Sequence, residues 1–397
     1  MYGPELLDLL PFKRDIMKTI KLHPLFVAVT AALLSAHMSG ALADQVVRIG
    51  FSAPLTGGSA HAGKDQENGA RLAIEEINAS GLVIGGNRVT LALDSQDDAG
   101  DPRTATQVAQ KLADDKVVAV IGHMNSGTSI PASKIYSDAG IVQISPSATN
   151  PQYTLQGFKT TYRVVATDAQ QGPALATYAA GSLKVKRVAV VDDSTAYGQG
   201  LADEFAKKAK ALGVTVLSHD ATNDKAIDFR AILTKIKGES PDAIMYGGLD
   251  ATAGPFAKQA GQLGIRAKIL AGDGVCTEQL ADLAGTASDA IVCSEAGLGL
   301  EKMPGGATFV KKYEARFHQP ILIYAPFSYD AVYIVVDAMK RANSTSADKI
   351  IAAMPQTDHS GVIGQTQFDE HGDLRHGVIS LYTYRAGKKT LLDAVKM

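Results

Sequence analysis

Hydroxyls, a phenol and a carboxylate recur in this chain directly after short apolar runs. Ser126 and Thr128 follow VVAVIGHMN, and Ser147 and Thr149 follow IVQISP. Tyr197 follows VAVVDDSTA, Leu249 and Asp250 follow AIMYGG, and Asp273 follows KILAG. Such a set suits recognition better than turnover. Ser126-Gly127-Thr128-Ser129 stands ahead of a helical stretch, where unpaired amides and small hydroxyls bind carboxylate or phosphate. The same residues serve equally well as an N-cap for their own helix. Asp273, between glycines, offers an anion to an ammonium or is simply a turn aspartate. Tyr197 before Gly198 can cover a bound molecule or fill a surface between lobes. GHMNSGTS has the spacing of a phosphate loop but carries Thr128 where that loop needs lysine. The chain has no G-x-S-x-G elbow, no H-E-x-x-H and no acid pair beside a nucleophile, so nothing in it asks for an enzyme. His371 and His376 flank a loop and read as solvent-exposed.

The elements that position these residues alternate regularly. VVRIGFSAPL, RVTLALDS, VVAVIG and IVQISP read as strands separated by helices, the first from Lys64 to Ser80 and stopped by Gly81. Asp101-Pro102 supplies an N-cap and first-turn proline for TATQVAQKLADD. VVAVIG is apolar without alternation, as expected of a parallel strand buried on both faces. TYRVVATDAQQGP reads as a connection. The pattern then restarts with KRVAVVDD, VTVLSHD, AIMYGG and AKILAGD as strands and with helices over Gly200–Leu212, Ile227–Gly238 and Ala253–Gly264. Helices over Thr308–Phe317 and Asp330–Ala342 and an alternating strand, GVISLYTYRAG, close the chain. The fold class expected is α/β, with two doubly wound parallel-sheet lobes and a tail that returns to both. In such sheets ligands bind outside the carboxyl ends of the strands, where the hydroxyls and acids above all stand.

Composition is that of an ordinary globular protein. The chain has 397 residues, 46% hydrophobic and 20% charged, with a formal net charge of -2, so it carries no basic field for nucleic acid. Lys18 and Lys21 precede an apolar run from Leu25 to Leu34, and Ala41-Leu42-Ala43 leads into Asp44. That is a Sec-type signal peptide over residues 1–43, with Met17 the better start. Its apolar run is too short to span a bilayer. Export places the two cysteines, Cys276 and Cys293, in an oxidising compartment, where they read as a disulfide or, failing that, two buried thiols. Two thiols are too few for a metal site, and neither metal nor cofactor is expected.

VIGHMNSGTSIPAS, ISPSATNP, DAQQGPALATY, YGQGLADEF, MYGGLDA, GDGV and FDEHGDL, in that order, resemble the periplasmic binding proteins for leucine, isoleucine and valine. The resemblance implies a type I periplasmic binding protein fold with three crossover strands, and the substrate-capturing subunit of an ABC importer. It places one lobe at 44–167 plus 297–365 and the other at 168–296 plus 366–397. It further implies that Ser126 and Thr149 hold a ligand carboxylate, with Asn125 and Ala148 beside them. The Ser147 carbonyl, the Thr149 hydroxyl and Asp273 would hold the ammonium, Tyr197 would close over it, and Ala62, Met124, Leu249 and Tyr324 would surround the side chain. The partners implied are a free amino acid and a membrane permease, with the protein a periplasmic monomer. Three departures stand out: Asp273 replaces a glutamate, Ala62 and Leu249 replace aromatics, and Gly100 and Asn125 occupy the family's disulfide positions. The head group is therefore better specified than the side chain, and a larger aliphatic, aromatic or amide ligand also fits. A sensor of the same fold shares this whole pattern.

Overall fold

The structure, a computed structural model, describes residues 44–396; the expected signal segment lies outside them. Six strands make the first sheet: β1 (Asp44–Ala53), β2 (Val83–Ile84), β3 (Asn87–Asp97), β4 (Ala119–Gly122), β5 (Val142–Ser145) and β6 (Thr161–Arg163). Their spatial order is β2-β3-β1-β4-β5-β6, parallel throughout except for β2. Every residue of β4 and β5 is buried, as their unbroken apolar runs require of strands covered on both faces. β1 leads to β3 on one side and neighbours β4 on the other. The strand order therefore reverses between β1 and β4, and the loop after Gly122 leaves from that crevice.

The second sheet contains β7 (Arg187–Asp192), β8 (Thr215–Ala221), β9 (Ala243–Gly247), β10 (Lys268–Ala271) and β11 (Ile291–Glu295), with β14 (Val378–Arg385) and β15 (Lys388–Lys396) on its far edge. Its order is β15-β14-β11-β10-β9-β7-β8. β7 to β11 are parallel, whereas β14 and β15 run antiparallel, so the parallel-sheet expectation needs correcting at this edge. β15 was not foreseen; it forms a hairpin with the last expected strand and gives it a second partner. A two-stranded pair, β12 (His359–Ser360) and β13 (Gln365–Thr366), lies between.

The longer helices are α1 (Ala60–Ser80), α2 (Pro102–Asp114), α3 (Ser126–Ala139), α4 (Asp168–Gly181), α5 (Ala196–Ala211), α6 (Arg230–Glu239), α7 (Asp250–Gln262), α8 (Gly306–Phe317) and α9 (Ala325–Ala342). α1 stops at Gly81 in the left-handed region, φ 75°, and α2 carries the expected Asp101 cap, whose side chain accepts from the Thr104 amide. α4 corrects the reading of TYRVVATDAQQGP as a connection. Thr167 and Gln170 form a capping box ahead of it, and Gly172 lets it cross α5, where a Cβ would stand 2.6 Å from the Phe205 amide nitrogen. α5, α7 and α9 each begin three to five residues earlier than expected. α3, α4 and α7 share one device: Pro131, Pro173 and Pro255 each occupy the sixth residue of the helix.

The chain passes between the sheets three times: after β6, after β11 and before β14. The passes lie side by side, since the Ala166 amide donates to the Ala296 carbonyl at 2.9 Å and the Arg163 amide to the Gly372 carbonyl at 3.0 Å. α8 and α9 belong with the first sheet, α9 lying along α1.

Cys276 and Cys293, 17 positions apart in sequence, form the expected disulfide, with Cα atoms 5.4 Å apart. It ties the loop after β10 to β11. In the chain-entropy model a loop of this length contributes ~3 kcal/mol. Replacing both cysteines by serine should lower unfolding stability by about 2–4 kcal/mol in urea titrations, and an unchanged midpoint and slope would refute that role.

Candidate functional site

The carboxyl ends of β4 and β5 face those of β7, β9 and β10. Between them lies a cavity of about 20 Å³ lined by Met124, Asn125, Ser126, Ser147, Tyr197, Leu249, Asp273, Gly274 and Tyr324. Space of that size admits about one water, so the two walls are essentially in contact. Eight of the eleven side chains expected to contact a ligand line it. Ala62 is buried on α1 and does not. Ala148 stands behind the wall: its amide donates to Ser145 Oγ and its carbonyl accepts from Arg163 Nη1 at 2.6 Å. Thr149 is also off the lining, and its buried hydroxyl completes no hydrogen bond.

Asp273 is the centre. One oxygen accepts from Tyr197 Oη at 3.0 Å and Gln171 Nε2 at 2.9 Å; the other accepts from Tyr324 Oη at 2.9 Å. Tyr197 and Gln171 stand on helices of the second sheet, and Tyr324 on a loop of the first. Burial pushes the Asp273 carboxyl above its ordinary value, and the three donors pull against that shift. Burial and the Asp273 charge drive both phenols well above theirs, so they stay protonated and donate. The expectation that Tyr324 surrounds an apolar side chain is thus incomplete: its hydroxyl reaches the acid.

The opposite wall is built from two loops. α3 begins at Ser126 itself, so the hydroxyl cluster is its first turn and not a stretch ahead of it. Thr128 and Ser129 give the first amide bonds to the Asn125 carbonyl, leaving the Ser126 and Gly127 amides outside the ladder. Ser126 Oγ accepts from the Asn150 amide, and Ser147 Oγ bridges the Met124 carbonyl and Gln66 Nε2, each at 2.8 Å. The fully buried Arg163 holds the second loop from behind. It donates to the Ala148 and Asn150 carbonyls and pairs with Asp373 at 2.5 Å, which accounts for the GDL motif.

Two acids were missed by the sequence reading. Asp65 on α1 accepts amides from Leu322, Ile323, Tyr324 and Ala325 and the Tyr313 hydroxyl. It caps α9 from outside and sets the position of Tyr324. Asp168, first residue of α4, is fully buried beside Thr149, yet neither of its oxygens completes a hydrogen bond. Burial, and then the charge of Asp273, push it well above the usual carboxylate range. Asp193, after β7, is pushed by burial to about 6. Contacts between the lobes close the rim: His61 Nε2 lies 2.8 Å from Asp250 Oδ2, and Asn150 Nδ2 donates to the Ala196 carbonyl at 2.6 Å. The Asp250 contact and burial act in opposite directions on His61, and the contact prevails, raising it.

Two α/β lobes with strand ends opposed, joined by three passes and meeting around a buried acid, define a two-lobed ligand clamp. Residues 46–389 match the periplasmic binding protein family, and the chain belongs to that family, in its branched-chain amino acid, type I branch. It is 37% identical over 364 residues to Leu/Ile/Val-binding protein homolog 1 of Brucella melitensis, covering 91% of this chain and 96% of the relative. It is 31% identical to the leucine-, isoleucine-, valine-, threonine- and alanine-binding protein of Pseudomonas aeruginosa, covering 92% and 96%. The crystal structure of the branched-chain amino acid transporter substrate-binding protein LivJ from Streptococcus pneumoniae, in complex with isoleucine, superposes with a TM-score of 0.81 at 28% identity, covering 89% and 100%. Among the described residues no helix is long and apolar enough to cross a membrane.

Asp65→Ala would strip five donors of their acceptor. It should cost about 3–5 kcal/mol of stability, as for breaking a buried charge network, read as a shift in the denaturation midpoint. A loss under ~1 kcal/mol would mean the loop before α9 is held by other contacts.

Proposed function

We propose that this chain is the exported substrate-binding protein of an ABC importer, closing its lobes on a free leucine, isoleucine or valine and presenting it to a membrane permease. Family membership and the relatives' names support the ligand class. The observation that carries the reading is Asp273, an anion held between lobes by donors from both and facing the free first-turn amides of α3. An α-amino acid presents complementary charges in that order. In this reading Ser126 and its amide neighbours hold the carboxylate. Ser147, Thr149 and Asp273 hold the ammonium, with Asp168 as a second acid behind Thr149. Met124, Leu249 and Tyr324 shape the side-chain end. The lobes divide at 167/168, 296/297 and 365/366, residues 1–43 are removed on export, and the mature protein acts as a monomer.

One observation favours a second ligand class. Asn125 Oδ1 and Gln66 Oε1 are buried acceptors without partners. They suit a ligand side chain that donates, such as an amide. A sensing role shares all of this geometry; genes for a permease and ATPase beside this one favour transport.

Titration calorimetry with leucine, isoleucine, valine and glutamine decides between the classes. Asp273→Ala should weaken the preferred amino acid at least a hundredfold with the fold intact, because charge-assisted hydrogen bonds contribute ~1.5–3 kcal/mol each. Unchanged affinity would remove Asp273 from the site.

A pH dependence follows from the raised acids. Their folded values lie above the unfolded ones, so in the free protein their contribution to stability is complete below the unfolded value and is lost as pH rises through the folded value. An ammonium needs them ionised. Affinity should therefore fall as pH drops from neutral toward about 4, by up to ~tenfold per unit for each proton taken up. Asp168→Asn should flatten this slope, and affinity independent of pH across that window would refute it.

A further inference from the structure

A cavity lies away from the cleft, where the second pass between the lobes meets the β14–β15 hairpin. It encloses about 520 Å³, within the usual range for small-molecule sites. Its walls come from both lobes. Glu278, Glu295 and Lys389 stand on the second, and Glu301, Ala307 and Ile321–Ile323 on the side of the second pass and α8.

Its chemistry is lopsided. Lys389 is the one cation among the residues lining it, and it is already engaged. Its Nζ is 2.6 Å from Glu295 Oε1 and lies 5.0 Å from the centre of the Tyr382 ring. Burial alone would push the Lys389 ammonium down, but Glu295 and Glu278 outweigh it and hold it above its ordinary value. That pair forms a neutral, buried floor. Glu278, half exposed and 3.7 Å from the same nitrogen, and Glu301, reached only by the Tyr382 hydroxyl at 3.4 Å, keep acceptor capacity at the rim. Leu300, Ile321, Ile323 and Leu391 supply an apolar wall. Rim acids alone would be a solvated surface; a partly open cavity, an apolar wall and unbalanced carboxylates together suit an apolar cation.

The position is also mechanically connected. Glu278 and Glu295 each lie two residues beyond a disulfide cysteine, so the bridge holds both acids in register. Ile321–Ile323 line this cavity, while Tyr324, the next residue, donates to Asp273 in the cleft. We propose that this cavity is a second binding site, for an organic cation consisting of an ammonium on a short aliphatic chain, and that its occupation favours the closed clamp. A molecule touching both walls favours the hinge angle that holds them at this spacing, and here that is the closed one. By linkage, each ligand raises the affinity for the other. Binding of the cation stands on this cavity alone; the coupling rests on the reading of the cleft as an amino-acid site.

n-Pentylammonium is the probe and 1-pentanol its neutral counterpart, titrated into the protein by calorimetry. Saturable binding of the amine, at least tenfold tighter than the alcohol, is expected. Glu278→Gln with Glu301→Gln, two exposed changes, should weaken it tenfold or more. Ala307→Trp, which fills the cavity from an exposed position, should abolish it with the melting temperature retained. Asp273→Asn should retain saturable amine binding. No saturable binding, equal binding of alcohol and amine, or loss in Asp273→Asn with retention in Ala307→Trp would overturn the site. At saturating amine the affinity for leucine should rise at least threefold in the parent and not in Ala307→Trp. An unchanged leucine affinity beside intact amine binding would overturn the coupling. If no amino acid binds at all, the cleft reading fails while the amine titrations still judge the cavity.

Discussion

A carboxylate removed from water must be given donors or a proton, and this molecule is arranged around how far that requirement is met. Asp65, on the first lobe, has five donors and is complete. Asp273, at the meeting of the lobes, has three, two from its own lobe and one from the other. Asp168, fully buried behind the hydroxyl wall, has none. Satisfaction thus differs sharply among the three acids. The first acid builds the scaffold, the second ties the lobes together, and the third stays buried behind the wall without a donor.

The topology explains why these acids can meet. Each sheet reverses its strand order next to its first strand, between β1 and β4 and between β7 and β9, so each has a crevice at the carboxyl ends. Three passes joined side by side bring the two crevices mouth to mouth. Arg163 belongs to this arrangement as much as to the site. On the last residue of β6, it grips Asp373 from the third pass and the loop carrying Thr149, so the hinge and the hydroxyl wall share one side chain. The hinge and the wall are therefore joined by an ion pair as well as by the chain.

How much of this was legible in the sequence follows from range. Strands such as VVAVIG were legible because burial on both faces writes itself into consecutive residues. α4 was not, because Gly172-Pro173 reads as a breaker. At the fifth and sixth helical positions, however, the proline forfeits one backbone bond and the glycine admits α5. The same proline in α7 delayed its expected start. β15 was hidden because KKTLLDAVK alternates weakly and gains its order from β14. Asp65 and Asp168 were missed for another reason. Their roles depend on partners 248 and 105 positions away, at Tyr313 and Asp273, and no local pattern marks them. The legible part of the site was the part written at strand ends.

Closure and recognition share atoms, and geometry decides whether they compete. A carboxylate offers about four acceptor positions. Gln171, Tyr197 and Tyr324 take three of those on Asp273. One remains, on the oxygen that faces Tyr324. An ammonium has three protons to place. The free position on Asp273, the Ser147 carbonyl and the Thr149 hydroxyl would supply three acceptors once the walls part to admit the ligand. A ligand that had to displace Tyr324 would exchange one cross-lobe bond for another and shift the hinge equilibrium little. One that adds to Tyr324 strengthens the closed form by its full contact with the second wall. The phenols therefore belong to the clamp itself: they hold Asp273 in place and leave one of its acceptor positions unused.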